Sequence, residues 1–102
     1  MSWNDVGASD DVAPGKVHVV ECDGTRIALC RTGEGLYAVE DVCSHDGSPL
    51  DQGELLGNRI ECPRHGAMFD VTTGQPKSLP AVRPIRTFVL KEEDGRIKLD
   101  CE

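Results

Sequence analysis

The chain has no surplus of basic charge: 11 Lys and Arg stand against 18 Asp and Glu in 102 residues, a formal net charge of −7. Phosphate backbones and anionic membrane surfaces reward Lys and Arg, so this balance argues against nucleic acid and membrane partners and favours a cationic or locally basic protein surface. Aromatic residues are scarce too, at 4%. The core must therefore be built from Val, Ile, Leu and Ala, with Trp3, Tyr37, Phe69 and Phe88 as its few large pieces. No stretch approaches the roughly 20 apolar residues that a membrane span requires. Met1-Ser2-Trp3-Asn4-Asp5 has neither a basic head nor an apolar run, which predicts a soluble, cytoplasmic chain without a secretory signal. The length suits one domain with a modest core and leaves no room for a second.

What is present is mostly of period two. Val17 and Val19 share a face, Cys22-Asp23-Gly24-Thr25 supplies a hairpin turn, and Ile27 with Leu29 carry the return strand. Thr32-Gly33-Glu34-Gly35 turns into Leu36-Tyr37-Ala38-Val39, and Ile85 to Leu90 is joined to Ile97-Lys98-Leu99 through Glu93-Asp94-Gly95. Between these, Asp51 to Asn58 is turn-rich, while Arg59-Ile60-Glu61 and Ala67 to Val71 read as a further strand pair. The pattern predicts an all-β chain of short antiparallel strands with no helix and no repeat. Residues 1 to 14 read as a polar arm plugged onto the domain by Trp3. Gln75 to Pro84 holds three of the six prolines and is expected to be a loop or an extended edge.

The chemistry lies between Cys43 and His65. Cys43-Ser44-His45 is followed by sixteen residues and then Cys62-Pro63-Arg64-His65. Each pincer offers a thiolate and an imidazole, and two of them facing each other make a four-ligand site for a soft or borderline metal. Zinc knuckles tend to pair like with like; a mixed pair on each loop favours a binuclear centre, which two loops approach from opposite sides. A structural zinc module that mediates protein contacts stays open as the alternative. Of five cysteines, Cys22, Cys30 and Cys101 remain; their scatter predicts reduced thiols rather than a disulfide framework. His18 has no partner motif and reads as a surface or structural histidine, not a ligand.

Cys-x-His, a gap of sixteen and Cys-x₂-His resembles the ligand signature of the Rieske proteins, and Gly47, Pro49, Leu50, Gly66 and Phe69-Asp70-Val71-Thr72-Thr73-Gly74 agree with it. The resemblance implies one [2Fe-2S] cluster held by Cys43, His45, Cys62 and His65. It also implies a Rieske-type antiparallel β-sandwich base, about residues 1–41 and 76–102, with a small inserted cluster-binding subdomain at about 42–75. On that reading the thiolates keep their iron ferric, while the neutral imidazoles make the other iron easier to reduce. His45 and His65 lie at the exposed tip as the exit route for the electron, and titration of their free nitrogens makes the potential fall as pH rises on the alkaline side.

Quinol-oxidising members carry an inter-loop disulfide and hydroxyl donors to cluster sulfur, from a Ser and a Tyr. The corresponding positions here are Ser48 and Arg64, and Ala67 and Phe69. Backbone amides around Gly47, Ser48, Gly66 and Ala67 are left as donors. Loss of the hydroxyl donors places the potential toward the low end of the roughly −150 to +300 mV Rieske range. The match is closest to the soluble Rieske-type ferredoxins. These are not enzymes themselves; they carry single electrons from an NAD(P)H-dependent flavoprotein reductase to a non-haem iron aromatic-ring-hydroxylating dioxygenase. A ferredoxin of another redox system, such as iron–sulfur assembly or another oxygenase, fits the same motif. Transient docking is expected at the tip through Leu50, Met68, Leu79 and Pro80, with Leu79 and Pro80 covering the cluster and Asp46 and Asp51 as rim charges.

Overall fold

The computed structural model describes residues 2–44, 47–79 and 83–101. Asp23-Gly24 and Asp94-Gly95 both take positive φ at both positions (51° and 77°, 52° and 76°), the conformation that lets a two-residue turn follow the twist of its strands. They close the hairpins β2 (Val17–Cys22) with β3 (Thr25–Thr32) and β8 (Thr87–Glu93) with β9 (Arg96–Asp100). Strand β4 (Gly35–Glu40) extends the first hairpin, giving a middle sheet β2-β3-β4. Residues 3–8, expected as a polar arm, instead form β1 (Trp3–Ala8) and pair with β9, giving an outer sheet β1-β9-β8. Only Ala38↔Phe88 and Val39↔Thr87 pair β4 with β8, so the continuous ladder folds over at that seam into two layers.

The middle sheet is covered on both sides. Ile27, Leu29, Leu36 and Ala38 face the outer sheet and pack with Val12, Phe88, Ile97 and Leu99. Ala28, Cys30 and Val39 face the other way, toward a small sheet of β5 (Leu55–Leu56), β6 (Arg59–Glu61) and β7 (Met68–Asp70). This explains Ile27-Ala28-Leu29-Cys30, a run in which every residue is fully buried: a strand sandwiched on both faces loses the polar alternation of a half-exposed one. Its large side chains fill the sandwich core, and its small ones let the third layer approach closely. Burying a residue such as Leu29 contributes roughly 1.5–3 kcal/mol.

Two further expectations are corrected. Cys22 and Cys101 are joined in a disulfide, their Cα atoms 6.1 Å apart and 79 residues separated in sequence, where reduced thiols were expected. Cys22 projects to the sandwich side of β2 and Cys101 follows β9, so the bond ties the two sheets together across their core. Local spacing carries no trace of such a contact. Trp3, expected as a plug, is 37% exposed and lies under the Lys91 ammonium, 4.6 Å from its ring centroid; backbone pairing with β9 anchors the first strand instead. His18 is exposed, as expected, and the only helical turn among the described residues is a short 3-10 segment, Ser9–Asp11.

Candidate metal centre

Two loops of one design rise above the middle sheet. In the first, Cys43 N–H donates to Ser48 C=O at 2.7 Å and Gly47 N–H returns to Cys43 C=O at 2.8 Å. In the second, Cys62 N–H donates to Ala67 C=O at 2.7 Å and Gly66 N–H returns to Cys62 C=O at 3.0 Å. Both turns need a left-handed residue at the same place, and Gly47 (φ 77°) and Gly66 (φ 75°) supply it. The cysteines stand at equivalent positions, both fully buried, in a core shared with Leu50, Ile60, Ala67, Phe69 and Val71. Arg64 and His65 sit at the exposed crest of the second loop. His45 and Asp46 lie outside the described residues, as does Pro80.

Each loop is fixed at its root. The second grows directly from the β6–β7 hairpin, with Glu61↔Met68 as its last pair. Behind it Gly53 packs flat against β6; a Cβ there would collide with the Glu61 carbonyl. The first loop is closed by Asp41, whose side chain is wholly buried. Its Oδ1 accepts Leu50 N–H at 2.8 Å, its Oδ2 accepts both Nε and NH2 of Arg26 at 3.2 and 2.9 Å, and its own N–H donates to Arg26 C=O at 2.9 Å. A buried carboxylate needs such full pairing. Sequence reasoning overlooked Asp41, although an acidic residue two positions before Cys43, with Arg26 on the adjacent strand, was the available signal.

Below the loops lies Cys30, in the same core as Cys43 and Cys62. Burial, helped by the Asp41 carboxylate, pushes its thiol up to about 12, so it is an unreactive packing group. On the turn after β7, the Thr72 hydroxyl donates to Asp70 Oδ1 at 2.6 Å and holds that carboxyl below the usual range.

Of the residues expected to dock partners, Leu50 is fully buried and contributes packing instead. Its place directly after Pro49, with its amide bound to Asp41, turns the side chain inward. Met68 is half-buried and Leu79 is 79% exposed. Asp51 faces Arg26, 3.9 Å away, and takes a hydrogen bond from Gln52 at 2.9 Å. Exposed charge beside the loops includes Arg64 and Arg83, so part of the rim is cationic where acidic groups were expected.

The donor set can be tested against the group it suggests. Among the described residues no three His, Cys, Asp or Glu side chains converge as they would on a single ion. Two matching loops, each with a water-shielded thiol near its root and the second with His65 at its exposed crest, suit a group with two metal atoms and unlike ends. Such a [2Fe-2S] cluster fits the residues present.

Comparison with known proteins agrees with this geometry. The ferredoxin component of the naphthalene 1,2-dioxygenase/salicylate 5-hydroxylase systems of a Ralstonia species is 36% identical over 102 residues, covering 100% of this chain and 98% of that protein. The ferredoxin of carbazole 1,9a-dioxygenase from Nocardioides aromaticivorans superposes with a TM-score of 0.95 at 32% identity, covering all of both chains. A chain in the complex of reduced oxygenase and oxidised ferredoxin of carbazole 1,9a-dioxygenase superposes at 0.91 with 38% identity, over 98% of this chain and 94% of that one. With its residues 2–89 matching the Rieske [2Fe-2S] domain as a family, and with relatives of the same length and fold on either side of the comparison, this chain belongs to the Rieske proteins.

Proposed function

We propose that Cys43, His45, Cys62 and His65 hold the cluster, and that the chain carries single electrons from an NAD(P)H-oxidising flavoprotein reductase to a terminal non-haem iron aromatic-ring dioxygenase. When bound, the cluster supplies one centre that accepts and releases one electron at a time. The residues around it keep that exchange selective. Burial of Cys43 and Cys62 excludes water from the thiolate side, which leaves the crest as the side open to exchange. The exposed crest that carries His65 offers the short path outward. Asp41 and the two glycine turns fix the loops before any partner arrives, which keeps reorganisation on electron transfer small. The pairing of buried Cys62 with exposed His65, on a loop whose twin buries Cys43 at the same place, carries this reading.

The relatives' partners supply the rest: they are ferredoxin components of aromatic dioxygenase systems, and one match comes from a complex with its oxygenase. Docking through Met68, Leu79 and Pro80 around His45 and His65 suits a small, short-lived encounter. No helix among the described residues is long and apolar enough to cross a membrane. The proposed NAD(P)H-dependent reductase supports a cytoplasmic setting, in which burial of Cys22 and Cys101 would shield their bond from reducing thiols.

The test is anaerobic reconstitution with iron and sulfide, followed by visible and paramagnetic resonance spectra and stopped-flow oxidation of the reduced protein by a terminal dioxygenase. The expected result is a reduced-state signal that His65→Ala abolishes or alters, and oxidation of one electron per chain. A colourless, zinc-loaded protein, or a reduced protein that no such oxygenase oxidises, would end the proposal.

A further inference from the structure

The segment after β7 closes on itself at Gly74 and Ile85, Ile85 N–H donating to Gly74 C=O at 2.9 Å. Gly74 is indispensable to that neck: φ is +80°, and a Cβ would run into the Ile85 carbonyl. On one flank of the segment, Ser78 Oγ accepts Met68 N–H at 3.0 Å and donates to Gly66 C=O at 3.4 Å. Lys77 N–H bonds Met68 C=O beside it at 2.7 Å. On the other flank, Ser44, next to Cys43, donates its hydroxyl to Arg83 C=O at 2.6 Å. One serine therefore ties each cysteine loop to the chain on either arm of the Gly74–Ile85 neck, Ser78 on the arm leaving Gly74 and Ser44, through Arg83, on the arm returning to Ile85.

The internal frame of a loop fixes its own shape and says nothing about its distance from the other loop. Cys43 and Cys62 are not in a disulfide, and the one disulfide among the described residues lies in the sandwich core. We infer that Ser44 and Ser78 are positioning residues that set the spacing of the two cysteine loops through the segment they share. The inference rests on the electron-carrier reading above. Both serines are half-buried and belong to neither hydrophobic core, so removing a hydroxyl opens no cavity; it releases one loop relative to the other and admits water to the thiols.

The holoprotein and its Ser44→Ala, Ser44→Thr, Ser78→Ala and Ser78→Thr variants are compared for the half-time of cluster bleaching under an iron chelator, for reduction potential and for melting temperature. Each Ala variant is expected to bleach about two- to tenfold faster, the worth of one net hydrogen bond, with an altered potential and a melting temperature lowered by no more than about 7 °C. Each Thr variant is expected to restore the wild-type half-time. Loading that fails in an Ala variant and succeeds in its Thr counterpart supports the inference equally. Bleaching at the wild-type rate in the Ala variants, Thr variants as impaired as Ala, or faster bleaching matched by a loss of melting temperature beyond that of one hydrogen bond would overturn it. A wild-type protein that binds no cluster defeats the proposed function itself, an outcome distinct from these.

Discussion

Removing the Cys22–Cys101 bond tests whether the two base sheets are held together covalently. The bond closes a loop spanning 79 residues of sequence. The chain-entropy relation assigns such a closure about 4.5 kcal/mol at 25 °C, and removal of native disulfides typically costs about 2–5 kcal/mol. With an unfolding entropy of about 2.1 cal/mol/K per residue, a loss of 3–4.5 kcal/mol lowers the melting temperature by about 15–20 °C. Calorimetry of the Cys22→Ala/Cys101→Ala protein, beside the wild type with and without a strong phosphine reductant, measures the shift. Because the bond lies on the far side of the middle sheet from Cys43 and Cys62, the cluster's visible spectrum and potential at 25 °C should not move. Thiol counting supplies the control: stripped of metal and unfolded without reductant, the chain should label at Cys30, Cys43 and Cys62 only. Five reactive thiols, or a melting temperature indifferent to the double substitution, would refute the reasoning.

Ala67→Ser and Phe69→Tyr should each raise the reduction potential by about 20–65 mV, the worth of one net hydrogen bond in a one-electron couple; both sites are fully buried beside the second loop, and protein-film voltammetry reads the result. Asp41→Ala should cost about 1–3 kcal/mol, chiefly by leaving the buried Leu50 N–H without its acceptor, since Arg26 is half exposed and keeps Asp51 3.9 Å away. Asp41→Asn, which keeps an oxygen for Leu50, should cost less; chemical denaturation ranks them. Asp5 is held well below the ordinary carboxylate range by Arg96, with Lys98 and the Gly7 amide helping. A depressed folded-state pKa contributes stability in full above the unfolded value and loses it as pH falls below about 4. Melting temperatures between pH 5 and pH 2.5 should therefore fall less steeply in Asp5→Asn, and the difference should shrink in high salt because the pair is exposed.

The hairpins were legible because their turns are local. An Asp-Gly pair between alternating apolar residues allows little else, and it marks both β2–β3 and β8–β9. The Cys/His spacing stood out as a motif for the same reason, and the structure puts Cys43 and Cys62 at equivalent places in two loops of one design. What escaped depends on contacts far apart in sequence. Strand β1 gains its place from pairing with β9, at the other end of the chain; no periodicity of its own announces it. The Cys22–Cys101 bond is of the same kind. Leu50 misled because apolarity near a metal loop says nothing about direction, and only the Asp41 contact turns it inward. Leu55–Leu56 is too short to show a period, and it becomes a strand because β6 lies beside it. Asp41, Ser44 and Ser78 were hidden differently: a single polar side chain has no signature until its partner's carbonyl or amide is known.

Strand β3 has no side that touches water between Ile27 and Cys30, and this gives the chain two separately adjustable halves. An altered side chain at 28 or 30 is felt beneath the electron-carrying loops, whereas one at 27 or 29 is felt only in the sandwich. Redox tuning and thermal endurance can thus drift independently along one four-residue stretch, sorted by whether the position is even or odd.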